Sequence, residues 1–188
     1  MIFSCEKEKV GPTPDDPVNI PDTAFFNALI NRGVDTDGDG LISFSEAGTV
    51  TVLLVGYSEI VDMTGIEAFI NLEYLWCGFN NIKDLDLSHN PKLRYLSCHD
   101  RMGSCSCWPP SIGGELIHLD ISNNPLLDTL DVSYNPLTTL NLCNNAGIRY
   151  LNIEGNPLDT IYVWEEPFPP AGVEVEGLDG IVFIACGN

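Results

Sequence analysis

A nine-residue pattern, Leu-x-x-Leu-x-apolar-x-x-Asn, recurs through the middle of the 188-residue chain and constrains its fold more than any other feature. The copies occupy residues 72–80, 82–90, 116–124, 127–135, 137–145 and 148–156, and one at 93–101 has Arg101 in place of the final Asn. Where copies follow one another directly, two of them make one longer repeat. A fixed repeat of about 21 residues is typical of a protein built from stacked coils.

The spacing inside each copy predicts a short strand followed by a turn. Alternate residues of a strand point to the same side, so Leu75 and Cys77 are expected to enter one core. The final Asn is expected to satisfy backbone groups at the turn. Stacked coils bury the leucine rows continuously. The predicted fold class is therefore a repeat solenoid, mainly β, with eight short parallel strands between residues 59 and 164.

Residues 35–46, DTDGDGLISFSE, place oxygen donors at the spacing of an EF-hand calcium loop. Such a loop uses positions 1, 3, 5, 7, 9 and 12, with glycine at position 6 for the sharp turn. The six positions are here Asp35, Asp37, Asp39, the Leu41 carbonyl, Ser43 and Glu46. The predicted cofactor is therefore Ca²⁺, and Ile42 is expected to pack the loop against the core.

A helix is predicted before this loop, because Phe25 and Leu29 lie at helical spacing. Asp22 or Thr23 is expected to cap this helix, and Gly33 to end it. After Glu46, glycine and β-branched residues disfavour a second full helix. The loop is single, whereas calcium sensors use cooperative pairs of loops. We expect calcium to fasten an EF-hand-like N-terminal cap over the open end of the solenoid; a regulatory role is the alternative.

The repeats, the shared slot of Cys77 and Cys98, and the segment MTGIEAFINLEYL (63–75) resemble the leucine-rich-repeat surface lipoproteins of Bacteroidota-type bacteria, which are similar to the internalin repeats. The resemblance covers residues 20–165. It implies a secreted or surface-tethered binding module at the bacterial cell surface or outer membrane. Cys5 follows Ile-Phe-Ser, which resembles the end of a lipobox, so Cys5 is expected to carry a lipid anchor. A stray cysteine in a flexible tail is the alternative.

The charge of the chain narrows the class of partner. There are 27 acidic and 8 basic residues, giving a formal net charge of −19. Such a surface repels nucleic acid and anionic membranes, so membrane contact is expected only through the lipid anchor. No apolar run approaches the length that a membrane helix needs. We expect a monomer that binds a protein partner, or, as the alternative, a glycan-capture protein of a polysaccharide uptake system.

A ligand is expected on the outward residues of the strands, which the repeat period arranges in rows. The first predicted row is Tyr74, Trp76, Tyr95, Ser97, His118, Asp120, Thr139, Asn141, Tyr162 and Trp164. The alternate row is Asp84, Asp86, Thr129, Asp131, Tyr150 and Asn152. Exposed aromatic side chains among hydrogen-bonding groups suit a protein hot spot or stacking on sugars. The predicted ligand-binding residues are Tyr74, Trp76, Tyr95, His118, Tyr162 and Trp164; packing between neighbouring coils is the alternative role for these aromatic residues.

Residues 99–115 interrupt the repeats where a regular copy should continue. Cys98, His99, Cys105, Cys107 and His118 could be drawn as a zinc site, but their spacing matches no familiar zinc pattern. A disulfide involving Cys105 or Cys107 is a second possibility, and an irregular loop without chemistry is the preferred one. Cys77 and Cys98 are expected to be buried thiols.

The chain is not expected to be an enzyme. Its three histidines, His89, His99 and His118, belong to no recognisable nucleophile motif, and no phosphate-binding loop is present. Asp84 and Asp86 are expected to be solvated on an open face. The predicted organisation is a flexible tether (1–20), a helix and calcium loop (21–58), the solenoid with its insertion (59–164) and a C-terminal β cap (165–188).

Overall fold

The structure is a computed structural model that describes residues 11–100 and 114–187. It contains helices α1 (Thr23–Asn31) and α2 (Phe44–Ala47) and a 3-10 helix at Ile66–Ala68. The strands are β1 (Val52–Leu54), β2 (Tyr74–Trp76), β3 (Asp84–Asp86), β4 (Tyr95–Ser97), β5 (His118–Asp120), β6 (Thr129–Asp131), β7 (Thr139–Asn141), β8 (Tyr150–Asn152), β9 (Thr160–Val163), β10 (Glu174–Glu176) and β11 (Val182–Ala185). Within the described ranges, no helix is long and apolar enough to cross a membrane.

From β2 onward, the strands alternate along the chain between two parallel stacks. One stack, the six-stranded sheet, has the order β1-β2-β4-β6-β8-β10. The other stack consists of the pair β3-β5 and the three-stranded sheet β7-β9-β11, and we call it the second stack. Each coil from β2 onward therefore contributes one strand to each stack, whereas the first coil has the 3-10 helix at Ile66–Ala68 between β1 and β2. The prediction of a mainly β solenoid of short parallel strands is confirmed, and it includes the eight strands expected between residues 59 and 164.

The core consists of leucine rows between the stacks. Leu75, Leu96, Leu130 and Leu151 occupy the same register position in successive strands of the six-stranded sheet, and all four are fully buried. Cys77 and Val132 enter the same core, as the alternation predicts. Each coil covers the apolar row of its neighbour, so the stacking supplies the burial that a single coil lacks.

The asparagines turn the chain, as predicted. The Asn80 amide donates hydrogen bonds to the carbonyls of Val55 and Cys77, and its oxygen accepts from the backbone N–H of Ser58 and Ile60. In the turn after β7, the Asn145 amide donates to the carbonyls of Ile121 and Asn124 in the preceding coil. These side chains are buried, and they satisfy backbone groups that the turns take out of the strand ladders.

The N-terminal cap differs from its predicted boundaries at both sides. Strand β1 pairs with β2 in the six-stranded sheet, so the solenoid begins at Val52 and not at residue 59. Residues 14–18, which belong to the predicted tether 1–20, lie against residues 42–45 at the end of the predicted calcium loop. Val18 donates to the carbonyl of Ile42, and Pro17 forms an isolated bridge with Ser43.

The C-terminal segment continues the solenoid. Strand β10 pairs with β8, and β11 pairs with β9, both in parallel register. A disulfide between Cys143 and Cys186 fixes the end of this last coil to the turn after β7. The segment does cover Leu151 and Ile161, as a cap should, but it does so with one more coil of the same kind.

The insertion lengthens one step between strands without changing their order. The number of residues from the start of β4 to the start of β5 is more than twice the number from β2 to β3 or from β6 to β7. Leaving out residues 101–113 restores the regular step. The described ends of the insertion lie side by side, since the backbone N–H of Asp100 donates to the carbonyl of Ser133 and that of Gly114 donates to Tyr134. Strands after the insertion therefore keep alternating between the stacks as if it were absent.

Candidate functional site

In β2, β4, β6, β8 and β10 of the six-stranded sheet, the residues on either side of the buried leucine row form two rows that cross the strands. The row at the strand starts is Tyr74, Tyr95, Thr129, Tyr150 and Glu174. The row at the strand ends is Trp76, Ser97, Asp131, Asn152 and Glu176. Most of the aromatic residues lie in β2 and β4, and the carboxylates lie toward β10. We call this surface the sheet face.

The predicted rows were wrong after residue 98, because they counted the insertion as part of the period. The structure keeps Tyr74, Trp76 and Tyr95 together on the sheet face. It places His118 in β5 and Tyr162 in β9, which belong to the second stack. Trp164 follows β9 and packs edge-on against Phe168, with ring centroids 5.3 Å apart. The six predicted ligand-binding residues therefore fall on two surfaces, and only three of them share the sheet face.

Tyr74 and Tyr95 stack face to face because they occupy the same position in neighbouring strands. Their ring centroids are 4.0 Å apart and their planes differ by 3°. Burial, the hydrogen bond with Tyr74 and the charge of Asp131 raise the pKa of Tyr95 to about 12, so its hydroxyl stays protonated at neutral pH. The pair forms a rigid, half-buried aromatic surface with two hydroxyl groups for hydrogen bonding.

A second aromatic cluster continues this surface around the end of β2. Tyr57 stacks on Phe79 at 4.2 Å and meets Trp76 edge-on at 5.8 Å. The Trp76 ring lies over Gly56, where an added Cβ would come within 2.7 Å of the ring. Tyr57 and Phe79 both have positive φ values, of 57° and 59°, a strained conformation for aromatic residues. The turns that follow β1 and β2 therefore hold the backbones of Tyr57 and Phe79 in this conformation, and both rings lie next to Trp76.

Sequence reasoning missed Tyr57 and Phe79 as parts of this surface. A signal was available, because the two residues are separated by about one full repeat and Phe79 directly precedes the turn residue Asn80. The first coil begins before the first recognised copy of the pattern, so Tyr57 stood outside the alignment of the copies.

The predicted calcium loop brings its three aspartates together. Asp35, Asp37 and Asp39 each offer a carboxylate oxygen, and these oxygens lie within 4.8 Å of one another. Asp35 accepts hydrogen bonds from the backbone of Gly38 and Gly40, which both take the left-handed conformation. Three carboxylates converging in one turn are a donor set that suits a hard cation such as calcium.

Glu46, the last predicted ligand position, is placed differently. The Glu46 carboxylate accepts from the backbone and hydroxyl of both Thr36 and Ser43, and it completes a capping box at the start of α2. Hydrogen bonds from Ser43 and Thr36 lower the pKa of Glu46 to about 2. Glu46 is not among the carboxylates that converge with Asp35. Its role as a ligand, like that of Ser43 and the Leu41 carbonyl, stays a prediction. The expected burial of Ile42 is confirmed.

The second stack carries an acidic groove. A cavity of about 290 Å³ lies over β3, β5 and β7, lined by Asp84, Asp86, His118 and Asp120 among others. A neighbouring cavity of about 440 Å³ shares Asp84 and Asp86 and adds His89. Asp84 and Asp86 are exposed, which agrees with the expectation of solvated carboxylates.

The cysteines of the described residues divide into two pairs. Cys143 and Cys186 form the disulfide, which the sequence did not predict. Cys77 and Cys98 are free and buried, as predicted, with their sulfurs 2.9 Å apart. The hydrogen bond with Cys77, together with burial, raises the pKa of the Cys98 thiol, which makes it a poor nucleophile.

The zinc alternative gains no support from the part of the chain that the structure describes. Cys98, His99 and His118 do not form a ligand group there, since the one such group is that of Asp35, Asp37 and Asp39. His99 instead shares a hydrogen bond with the Ser97 hydroxyl. Cys5, Cys105 and Cys107 lie outside the described residues, so the predictions about them stay predictions.

Comparison with known proteins supports the repeat assignment. No family model matches the chain. It is 27% identical to Tsukushi of Mus musculus, over 77% of this chain and 48% of that protein. It is 37% identical to internalin J of Listeria monocytogenes, over 44% of this chain and 9% of that protein. The chain thus spans about half or less of the length of these curated relatives. The similarity to internalin J agrees with the internalin-like repeats that the sequence predicts.

Two solved structures overlap with parts of the chain. The functional domain of InlJ from Listeria monocytogenes, which includes a cysteine ladder, is 26% identical, with a TM-score of 0.43 over 79% of this chain and 39% of that one. The CBM51-2 and INT domains of Clostridium perfringens ZmpB are 31% identical, with a TM-score of 0.41 over 45% of this chain and 18% of that one.

Proposed function

We propose that the chain is a leucine-rich-repeat binding module, and not an enzyme, that recognises a protein partner through the sheet face. The observation that carries this proposal is the aromatic surface formed by Tyr74, Trp76 and Tyr95 with the neighbouring Tyr57–Phe79 stack. Rigid, partly exposed tyrosine and tryptophan side chains are the residues that most often dominate protein interfaces. They lose little conformational entropy on binding, since stacking already fixes their rotamers.

Calcium has a structural role in this proposal. Asp35, Asp37 and Asp39 would hold the ion, and Glu46 would link the loop to α2 through its capping box. Residues 14–18 hydrogen-bond to residues 42–45, and Val34, just before the loop, donates to the carbonyl of Leu29 in α1, so a bound cation would relieve the repulsion of three carboxylates beside the cap. Calcium would thereby fasten α1 over the first coil and keep the sheet face in its binding form.

The module would work outside the cytoplasm. The disulfide between Cys143 and Cys186 supports this location, because disulfides persist in oxidising compartments. A lipid anchor at Cys5 on a bacterial cell surface would present the sheet face to the surroundings. Mass spectrometry of the native protein tests the anchor, since unmodified Cys5 behind an intact Met1 would exclude it.

Selection of binders tests the binding proposal. A random-peptide display library is panned on the calcium-loaded protein, and a glycan array is probed in parallel. Each binder is then measured against Trp76→Ala and Tyr95→Ala, with Tyr162→Ala on the second stack as the matched control. We expect peptide binders that weaken at least 30-fold, or about 2 kcal/mol, with either sheet-face variant and are unchanged with the control. Thermal melts confirm that each variant is folded.

Two results would contradict the proposal. Peptide binders that are indifferent to Trp76→Ala and Tyr95→Ala would show that the sheet face is not the contact surface. A glycan that binds and depends on Trp76, with no peptide doing so, would establish the alternative of glycan capture.

A thermal melt tests the calcium proposal. With calcium at about 100 times its dissociation constant, a site present only in the folded protein adds about 2.7 kcal/mol of stability. We expect the melting temperature to rise with excess calcium and to fall with a chelator. The variant Asp35→Asn/Asp37→Asn should lose the shift, and Asp84→Asn/Asp86→Asn, which removes the same charge elsewhere, should keep it. Equal shifts in both variants would mean that calcium acts on the overall charge.

A further inference from the structure

The sheet face is chemically divided along the axis of the solenoid. In the row at the strand ends, Trp76 lies in β2, Asp131 in β6 and Glu176 in β10. In the row at the strand starts, the stacked tyrosines of β2 and β4 lie at one end and Glu174 at the other. The coils nearest the N-terminal cap therefore present a cluster of aromatic rings, and the last coils present carboxylates beside a single ring, that of Tyr150.

The register of the sheet fixes the distance between the two halves. Neighbouring strands are about 4.8 Å apart, so Asp131, two strands from Trp76, lies roughly 10 Å away along the axis. Glu176 is four strands from Trp76, or roughly 19 Å. A ligand that contacts both halves must therefore cross the strands and extend along the solenoid.

Among the described residues, the arginines beside the sheet face do not neutralise its carboxylates. Arg94 pairs with Glu73, and Arg149 pairs with Asp128, both next to the strand starts. The two arginines are therefore paired with acidic residues that flank the two rows, and not with the carboxylates in the rows.

The carboxylates of the last coils keep their charge open to solvent. Glu176 accepts a hydrogen bond from the Tyr150 hydroxyl, and Glu174 is exposed. Burial and the hydrogen bond with Glu176 raise the pKa of Tyr150, as expected where the local potential is negative. Asp131 is more enclosed, since it lies 3.8 Å from the His99 ring nitrogen. The region around Glu174 and Glu176 therefore attracts a cation most strongly.

We propose that the partner contacts the sheet face with an extended segment that lies along the solenoid axis, with an apolar or aromatic side chain on the Trp76 end and a lysine or arginine roughly 10–19 Å away, between Asp131 and Glu176. This inference rests on the proposed function and names the chemistry of its partner. Charge complementarity favours a basic segment over a neutral glycan, since sugar hydroxyls could donate hydrogen bonds to the carboxylates but a neutral sugar would gain no charge attraction from them. The net charge of −19 would further speed the approach of such a segment.

The peptides selected by display provide the probes for this inference. We expect the enriched sequences to pair an apolar residue with a basic one three to six positions away, because an extended chain covers about 3.3 Å per residue. A synthetic copy of the most enriched peptide is titrated by fluorescence anisotropy at low and high salt. Affinity should fall about 10-fold or more with Glu174→Gln/Glu176→Gln, and it should fall as the salt concentration rises.

Matched variants separate a local effect from a general effect of charge. Asp84→Asn/Asp86→Asn removes two carboxylates from the second stack and should change affinity less than 2-fold. A peptide whose basic residue is replaced by glutamine should no longer respond to Glu174→Gln/Glu176→Gln, because its contact with those carboxylates is already lost.

The outcomes distinguish this inference from the proposed function. Peptides that need Trp76 but show no basic preference and no response to Glu174→Gln/Glu176→Gln would overturn the inference and leave the proposed function intact. A neutral hexasaccharide that displaces the peptides and binds with the same dependence on both halves would also overturn it. Binding that ignores Trp76→Ala and Tyr95→Ala, or failure to enrich any peptide that needs the sheet face, would overturn both proposals.

Discussion

The two ends of the solenoid are closed in different ways. At the N-terminal end, α1 buries Phe25 and Leu29 completely, so the first coil is covered by side chains of a separate element. At the C-terminal end, the last strand leaves Val182 58% and Ile184 41% exposed. A disulfide that ends at Cys186 holds that last coil in place. One end is therefore closed by apolar burial, and the other is fixed by a covalent bond.

This difference predicts how substitutions at each end should affect the stability of the protein. A solenoid coil is stabilised chiefly by its neighbours, so a terminal coil lacks half of its stabilising contacts. The N-terminal cap replaces those contacts with a small core of its own, which calcium would reinforce. The last coil has only partly buried apolar side chains, such as Phe168 and Phe183 with ring centroids 5.1 Å apart, and the bond at Cys186 adds a covalent restraint on its strand. Changes at the N-terminal end should lower the stability of the cap, and changes at the C-terminal end should release only β11.

Truncation of Phe25 should produce the largest effect. The side chain is fully buried beneath α1, so Phe25→Ala leaves a cavity between the helix and the first coil. We expect a loss of about 3–5 kcal/mol in the free energy of unfolding, measured by chemical denaturation. Phe26→Ala on the same helix is the control, and it should cost less because Phe26 is only half-buried. Equal losses would show that the burial of Phe25 is not what closes this end.

Removal of the disulfide should have the next largest effect. Cys143 and Cys186 are 43 residues apart in the sequence, and closing a loop of that length contributes about 4 kcal/mol in the chain-entropy model. Cys143→Ser/Cys186→Ser should therefore lower stability by about 2–4 kcal/mol. Hydrogen exchange should quicken in β11 and stay unchanged in α1. Faster exchange in α1 as well would contradict the independence of the two ends.

The combination of these two changes measures that independence directly. The free-energy losses of Phe25→Ala and Cys143→Ser/Cys186→Ser should add within about 0.5 kcal/mol, because the sites share no contacts. A larger interaction energy would show that the solenoid transmits strain from one end to the other, and the contrast between the ends would then be superficial.

The sequence was sufficient to predict the repeating parts of this architecture. The positions of Leu75 and Leu130 follow from strand periodicity, and the turn function of Asn80 and Asn135 follows from their place after the apolar residues. The helix before the calcium loop was predictable from the spacing of its apolar residues and from Asp22 as its N-cap. These features depend on local chemistry that recurs in each coil.

The parts that sequence reasoning missed depend on contacts between coils. The outward rows depend on whether residues 101–113 count toward the period, and the pairings of Asp84 with His118 and of Tyr95 with Thr129 show that they do not. The disulfide joins residues that belong to different coils. One signal did exist, since Cys143 occupies an outward position of the pattern whereas Cys77 occupies an inward one. An outward cysteine is accessible for pairing, but its partner could not be chosen without the register of β11.

Asp22 offers the smallest and most specific test of the N-terminal end. Its carboxylate accepts from the backbone N–H of Ala24 and Phe25 in α1 and from those of Val61 and Asp62 in the solenoid. It therefore caps the helix and links it to the first coil. We expect Asp22→Ala to cost about 1–2 kcal/mol in unfolding free energy, and Asp22→Asn, which keeps one acceptor oxygen, to cost less.

The pH dependence of this effect distinguishes the charge of Asp22 from its shape. Burial opposes ionisation, but the four backbone hydrogen bonds outweigh it and hold the pKa of Asp22 below its ordinary value of 3.8. The stabilisation that the charge provides is therefore complete above the unfolded-state pKa and is lost as the pH falls through the lower pKa of the folded state. The stability difference between the parent protein and Asp22→Asn should shrink as the pH is lowered from 6 to about 3. A difference that stays constant over that range would mean that Asp22 joins α1 to the solenoid through packing alone.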